Sequence, residues 1–92
     1  MTFLVKNNQT LNRFEVKVNG IHAFLDYKLQ GCLMTLVHTE VPSELGGQGV
    51  GGSIVKAALL FAREQGLRVV PECPFVIRYI DRHGEFRDLV AE

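Results

Sequence analysis

Tryptophan is absent, cysteine occurs only twice, and neither sign of charge is in excess: 10 lysines and arginines face 10 aspartates and glutamates in 92 residues. A balanced charge leaves no electrostatic footprint for nucleic acid or an anionic membrane surface, so neither is expected as a partner. Cys32 and Cys73 form one disulfide at most, which points to a reduced, cytoplasmic setting. The stretch from Met1 to Phe14 lacks the apolar centre of a signal peptide, and no apolar run approaches the ~20 residues that span a bilayer. Histidine and cysteine never recur at close paired spacing, so no metal is expected. What is present is 47% hydrophobic residues. At this length that supplies one core, and a single domain over residues 1–92 is expected.

The first half of the chain alternates with the period of a strand. Phe14, Val16 and Val18 flank charged Glu15 and Lys17. Asn19-Gly20 suits the two left-handed positions of a tight hairpin turn. Ile21 to Leu29 then alternates again, and Gln30-Gly31 turns the chain into a third strand, Cys32 to Val41. Phe3 to Lys6 is expected to add a fourth strand at the edge. The third strand is apolar on both faces until His38, which predicts a central position covered on each side. Helical spacing takes over from Gly49 to Gln65, with Val50, Ile54, Ala57, Ala58, Phe61 and Ala62 on one stripe and Gly66 as the stop. Leu67 to Pro71 is a short strand, parallel to the third because only a helix separates them. Pro74 opens a second helix that runs until Gly84, and Phe86, Leu89 and Val90 dock the tail. The expected fold is α+β, with a mixed sheet.

Between the third strand and the long helix lies the stretch from Val41 to Ser53, in which five of thirteen residues are glycine. Glycine admits positive φ and brings backbone N–H groups close to a bulky anion, and a helix start adds unpaired N–H groups and the positive end of a dipole. The combination suits a phosphate or pyrophosphate. A Cβ at Gly49 or Gly51 is expected to invade the anion's space. A flexible loop with a helix cap is the plainer alternative.

Two other places carry chemistry. Pro74 leaves Cys73 at the N-cap of the second helix, where the dipole favours thiolate, although a small buried hydrophobe is equally open to it. His38 and Glu40 share one face of the third strand, just before the glycine stretch, and either suits a general base. Cys32 reads as structural, and His22 and His83 as surface residues.

The order of elements and the glycine stretch resemble the GNAT-type acyl-CoA N-acyltransferases. That family's motif is Arg or Gln, two residues, Gly, one residue, then Gly or Ala. Gly46-Gly47-Gln48-Gly49-Val50-Gly51 takes its place here, with Gly46 at the first position. His38-Thr39-Glu40-Val41-Pro42 and Cys73-Pro74-Phe75-Val76 resemble, more narrowly, the small single-domain members. The resemblance implies acetyl-CoA as cofactor, with its pyrophosphate on the backbone of Gln48, Gly49, Val50, Gly51, Gly52 and Ser53, beside Gly46 and Gly47. It places the pantetheine arm between the strand ends at Val41 and near Glu72, and makes Tyr79 similar to the tyrosine that protonates the departing thiolate. Larger members carry early helices and late strands that are missing here, so the acceptor side is expected to be open, for an amine on a protein or a small molecule. Two alternatives stand beside transfer: a non-catalytic CoA-binding module, and a dinucleotide site using Gly47, Gly49, Gly51 and Glu72. The antiparallel start argues against the second.

Overall fold

Phe14, Val16, Ala23, Leu25, Tyr27, Met34 and Leu36 all point to one side of a five-stranded sheet, and each is at least 96% buried. The computed structural model describes residues 3–91. In it β1 (Lys6–Asn8), β2 (Arg13–Val18), β3 (Ile21–Gln30) and β4 (Leu33–Glu40) form an antiparallel meander, and β5 (Arg68–Pro71) joins β4 in parallel. Helix α1 (Val50–Glu64) makes the crossover between them, and α2 (Pro74–Arg82) follows β5. A 3-10 segment, Gly84–Leu89, leads into the tail.

Turn chemistry sets the register. Asn19 and Gly20 take φ of 51° and 79°, the twist that lets β2 and β3 pair without splaying. The next turn differs by one residue from the expected Gln30-Gly31, because β3 keeps Gln30 paired with Leu33 and leaves Gly31 and Cys32 to turn. Gly31, at φ 60°, occupies the position where that turn needs a positive angle. The edge strand also differs: it is Lys6–Asn8, while Phe3, Leu4 and Val5 are not in a strand. Its pairing is anchored by polar side chains, Tyr27 Oη donating to Asn7 Oδ1 at 2.7 Å.

Ile54, Val55, Ala58, Leu59 and Ala62 of α1, with Val76 and Ile80 of α2, join the inner residues in one core. Each large side chain fully buried there contributes roughly 1.5–3 kcal/mol. The helices cover only that inner face. On the outer face Thr35 and Val37 are half-buried and Leu33 is exposed, so β4 is central in the sheet but not enclosed on both sides as its apolar run predicted. Beyond β5, the tail closes the sheet edge: Ala91 N–H donates to the Val69 carbonyl at 2.8 Å, and the Arg68 guanidinium holds the carbonyls of Asp88 and Val90 at 3.0 and 2.9 Å. Phe86 and Leu89 dock beneath it. Among the described residues no helix is long and apolar enough to cross a membrane.

Candidate functional site

The site begins with a break in strand parity. Tyr27 of β3 pairs with Leu36, but the next residue back, Asp26, pairs with His38, so Val37 has no partner and forms a bulge. Before the bulge, Met34 and Leu36 face the core; after it, Thr39 pairs with buried Leu25 and takes over that side. His38 and Glu40 are turned to the outer face, opposite Asp26 and Phe24. Without the extra residue, simple alternation would put both of them in the core with Met34 and Leu36.

At the same level β4 and β5 part. Their pairing ends at Leu36 with Pro71, whereas β4 runs on to Glu40. Glu72 and Cys73 both donate their N–H groups to the Leu36 carbonyl, at 3.1 and 3.2 Å, which turns the chain away into α2. A wedge opens between the strand ends. Across it the Cys73 thiol donates to the Thr39 hydroxyl oxygen, 3.5 Å away.

Past the wedge, Val41 and Pro42 lead through a 3-10 turn, Ser43–Leu45, into the glycine stretch, and buried Leu45 pins that turn to the core. Gly47 and Gly49 have φ of 76° and 80°, and a Cβ on either would meet nothing within 4 Å. They keep the backbone bare towards open space. Gly49 is the N-cap of α1 and offers no side-chain cap, and no acidic residue stands in the first turn. A serine or aspartate side chain, the usual cap, would accept from one of the helix's first N–H groups, and glycine leaves them free. Left uncapped, the first N–H groups of α1, on Val50, Gly51 and Gly52, have no acceptor within the helix, and its positive end is not neutralised. The first bond of the helix runs from Ser53 N–H to the Gly49 carbonyl at 3.1 Å, and the Ser53 hydroxyl donates to the same oxygen. The Gln48 side chain folds back to donate to the Glu44 carbonyl at 3.3 Å.

A cavity of about 470 Å³ lies over this turn, walled by Thr39, Val41, Leu45, the glycines and Phe75. A slightly larger hollow of about 550 Å³ lies elsewhere, between Phe3, Leu4 and the sheet edge at Lys6, Lys17 and His22. Its greater size does not make it the better anion site, since its lining offers flexible lysines and no helix start.

Gly51 plays a part different from the one expected. A Cβ there would stand 2.7 Å from Phe75 Cζ and 3.3 Å from Val41 Cγ2, so it would collide with the protein's own packing before reaching a ligand. Gly52 likewise faces the Tyr79 ring, at 3.5 Å for an ideal Cβ. These two glycines let α1 and α2 approach closely; Gly47 and Gly49 keep the cradle open.

Cys73 is 6% exposed and is the N-cap of α2. Burial acts to raise its pKa, but the Thr39 hydroxyl and the N–H groups of Val76, Phe75 and Thr39 oppose that, and the net shift is downward. Neither helical N–H closes a full capping bond. Cys32, by contrast, is exposed in its turn.

The remaining candidates are spread around this centre. His38 Nε2 and Glu40 Oε1 are 3.0 Å apart on the outer face, each side chain more than half exposed, and neither lines the cavity. Nearby, Arg13 pairs with Asp26 at 2.7 Å and covers the Phe24 ring at 3.8 Å. Tyr79 borders a separate small hollow, with Phe75 as the side chain common to both. Burial, and then the charge of Glu85, raise its pKa, so its hydroxyl keeps its proton at neutral pH. His83 is half-buried, not a surface residue: its ring stacks on Tyr79 at 3.9 Å, and its Nδ1 lies 2.9 Å from the Tyr79 carbonyl oxygen. Among the described residues, no three His, Cys, Asp or Glu side chains are grouped to hold a metal ion. Sequence reasoning missed Thr39 and Phe75. Thr39 carried a signal in its alternation with His38 and Glu40, whereas Phe75 stood inside the Cys73-to-Val76 motif with no role of its own.

With this geometry in hand, comparison with known proteins is specific. The family model described as GCN5-related N-acetyl-transferase matches residues 13–89. Protein NATD1 of Mus musculus is 34% identical over 79 residues, covering 83% of this chain and 72% of that protein. Protein NATD1 of Homo sapiens matches at the same identity, with 70% of its length covered. A solution structure of a GCN5-like protein from Staphylococcus aureus superimposes with a TM-score of 0.76 at 28% identity, covering 98% of this chain and 89% of that one.

Proposed function

The chain belongs to the GCN5-related N-acetyltransferase family, and from that premise we propose that it moves an acetyl group from acetyl-CoA to an amine. The observation that carries this reading is the uncapped first turn of α1, opening on a cavity whose wall, Thr39, is hydrogen-bonded to Cys73. The residues fit such a cofactor: Gly47 and Gly49 leave bare the space a Cβ would fill, and the N–H groups of Val50, Gly51 and Gly52 suit a pyrophosphate. Ser53 and the Gln48 side chain stand outside the cradle, spending their hydrogen bonds on Gly49 and Glu44. Val41 and the parted ends of β4 and β5 would line the pantetheine arm.

When bound, acetyl-CoA supplies an acetyl thioester, which an amine can attack only as its unprotonated form. In this reading His38 or Glu40 would take up the acceptor's proton, from the outer face, with the cofactor held on the inner side of the wedge. Acceptors with a protruding amine, on a small molecule or a protein, suit the uncovered outer face. Bound there, the acetyl group would lie beside Cys73, whose thiol would polarise it, while Tyr79, which faces the separate hollow, is left out of the proton path. Two free cysteines, Cys32 and Cys73, suit a reducing compartment, and the cytoplasm is the one we assign.

Calorimetric titration with CoA, NAD and ATP tests the cofactor, and release of free CoA from acetyl-CoA in the presence of polyamines and lysine peptides tests the reaction. The expected result is CoA binding and amine-dependent release. Binding of NAD in place of CoA would sink the assignment. CoA binding with no release under any acceptor would leave a binding module.

A further inference from the structure

The outer flank of α2 carries a basic cluster to which the reading above gives no role. Arg78 and Arg82 stand four residues apart, so they project from one side of the helix. Both are exposed, and neither has a carboxylate partner among the described residues. Like charges at this spacing repel. The dipole at the helix C-terminus favours Arg82, but Arg78 stands at mid-helix and gains nothing from it.

With Phe75, Tyr79 and His83, the two arginines line a hollow of about 80 Å³. A phosphate group fits that space, whereas a whole nucleotide does not. His83 contributes in a defined form: the Tyr79 carbonyl only accepts, so Nδ1 carries the proton and donates at 2.9 Å, leaving Nε2 for another partner. Among the described residues Glu85 is the carboxylate whose charge acts on Tyr79, and two guanidinium groups line the same hollow. Phe75 joins this hollow to the cradle. Its ring, 37% exposed, is common to both cavities, and Gly51 and Gly52 of the cradle pack directly on Phe75 and Tyr79. A ligand whose pyrophosphate sits at the start of α1 therefore reaches the arginines by crossing one aromatic ring.

Coenzyme A carries a third phosphate, a monoester on the 3′ oxygen of its ribose, separate from the pyrophosphate. We propose that Arg78 and Arg82 form a second anion site that binds this 3′-phosphate, with the nucleoside lying over Phe75. Guanidinium groups match a phosphate with paired N–H donors and keep their charge at any working pH. The proposal rests on the reading of coenzyme A as cofactor.

The test compares CoA with 3′-dephospho-CoA by calorimetry, on the wild type and on the Arg78→Gln, Arg82→Gln double variant. The wild type should bind CoA about tenfold or more tightly than the dephospho form, as expected for losing charged hydrogen bonds. The double variant should bind the two alike, with its affinity for the dephospho form unchanged. Equal affinity in the wild type, or a preference surviving in the variant, overturns this proposal and leaves the cofactor assignment standing. No binding of either form to the wild type overturns both.

Discussion

Thr39 and Cys73, 34 residues apart in the chain, meet across the parted ends of β4 and β5 with sulfur and hydroxyl oxygen 3.5 Å apart. Their contact depends on the bulge at Val37, which turns Thr39 inward, and on the Leu36 carbonyl, which receives the N–H groups of Glu72 and Cys73. It also gives the thiol a neighbour able to donate to its anion.

Cys73 should therefore titrate below a free thiol, and Thr39→Val should raise its pKa, since burial then acts with less opposition. The sign for stability follows from the lowered pKa. Ionisation of Cys73 stabilises the fold fully above the free-thiol value, and that contribution disappears as pH falls through the folded-state value. Alkylation rate against pH measures the shift; a midpoint at or above the free value in the wild type would refute it.

Deleting Val37 should restore simple alternation and drive His38 and Glu40 into the apolar core or force β4 out of register. Burying such groups without partners costs several kcal/mol, a large share of the stability of a small domain. The expected outcome is a chain that fails to unfold cooperatively in urea. A deletion variant as stable as the wild type would show that the bulge does not set the face.

Gly51→Val and Gly49→Ala should separate packing from binding. Valine at Gly51 meets Phe75 and Val41 and should cost about 1–3 kcal/mol of stability, much of it recovered when Phe75 is also changed to Ala. Alanine at Gly49 meets no atom but must adopt φ near 80°, a strain of roughly 1–2 kcal/mol. Its further effect should be weaker CoA binding. Urea denaturation and calorimetry on the same samples distinguish the two, and additive losses for Gly51 and Phe75 would refute the packing argument.

Tyr27 predicts the alkaline limit of the fold. Burial raises the pKa of its hydroxyl, partly offset by the bond to Asn7. The contribution is complete below the unfolded value of about 10 and is lost as pH rises through the higher folded value. Tyr27→Phe should lower stability at neutral pH by about 1 kcal/mol and flatten its decline above pH 10. An unchanged alkaline slope would assign that decline to other groups.

Arg68 should matter more than an exposed arginine usually does, because it holds two tail carbonyls and no carboxylate. Arg68→Ala is expected to cost about 1 kcal/mol and to speed hydrogen exchange at Ala91, whose amide bonds to Val69. Unaltered exchange at that amide would show that the tail holds without the arginine.

Much of this architecture was legible in the chain because it is encoded by neighbours. Alternation in β2 and β3, Asn19-Gly20, the apolar stripe of α1, and Pro74 at the first position of α2 are all local patterns, and each element formed within a residue or two of its expected bounds. The glycine stretch also announced itself, since so many residues without a Cβ at a strand-to-helix junction leave a bare helix start. What only the tertiary structure decided was facing and company. One unpaired residue, Val37, exchanged the two faces of β4, and no local pattern marks where a strand will carry an extra residue, because its cause is the competing register of β3. The same holds for the glycines of α1. Gly49 faces open space and Gly51 faces Phe75, a difference set by a helix that begins 23 residues further on and packs against the first.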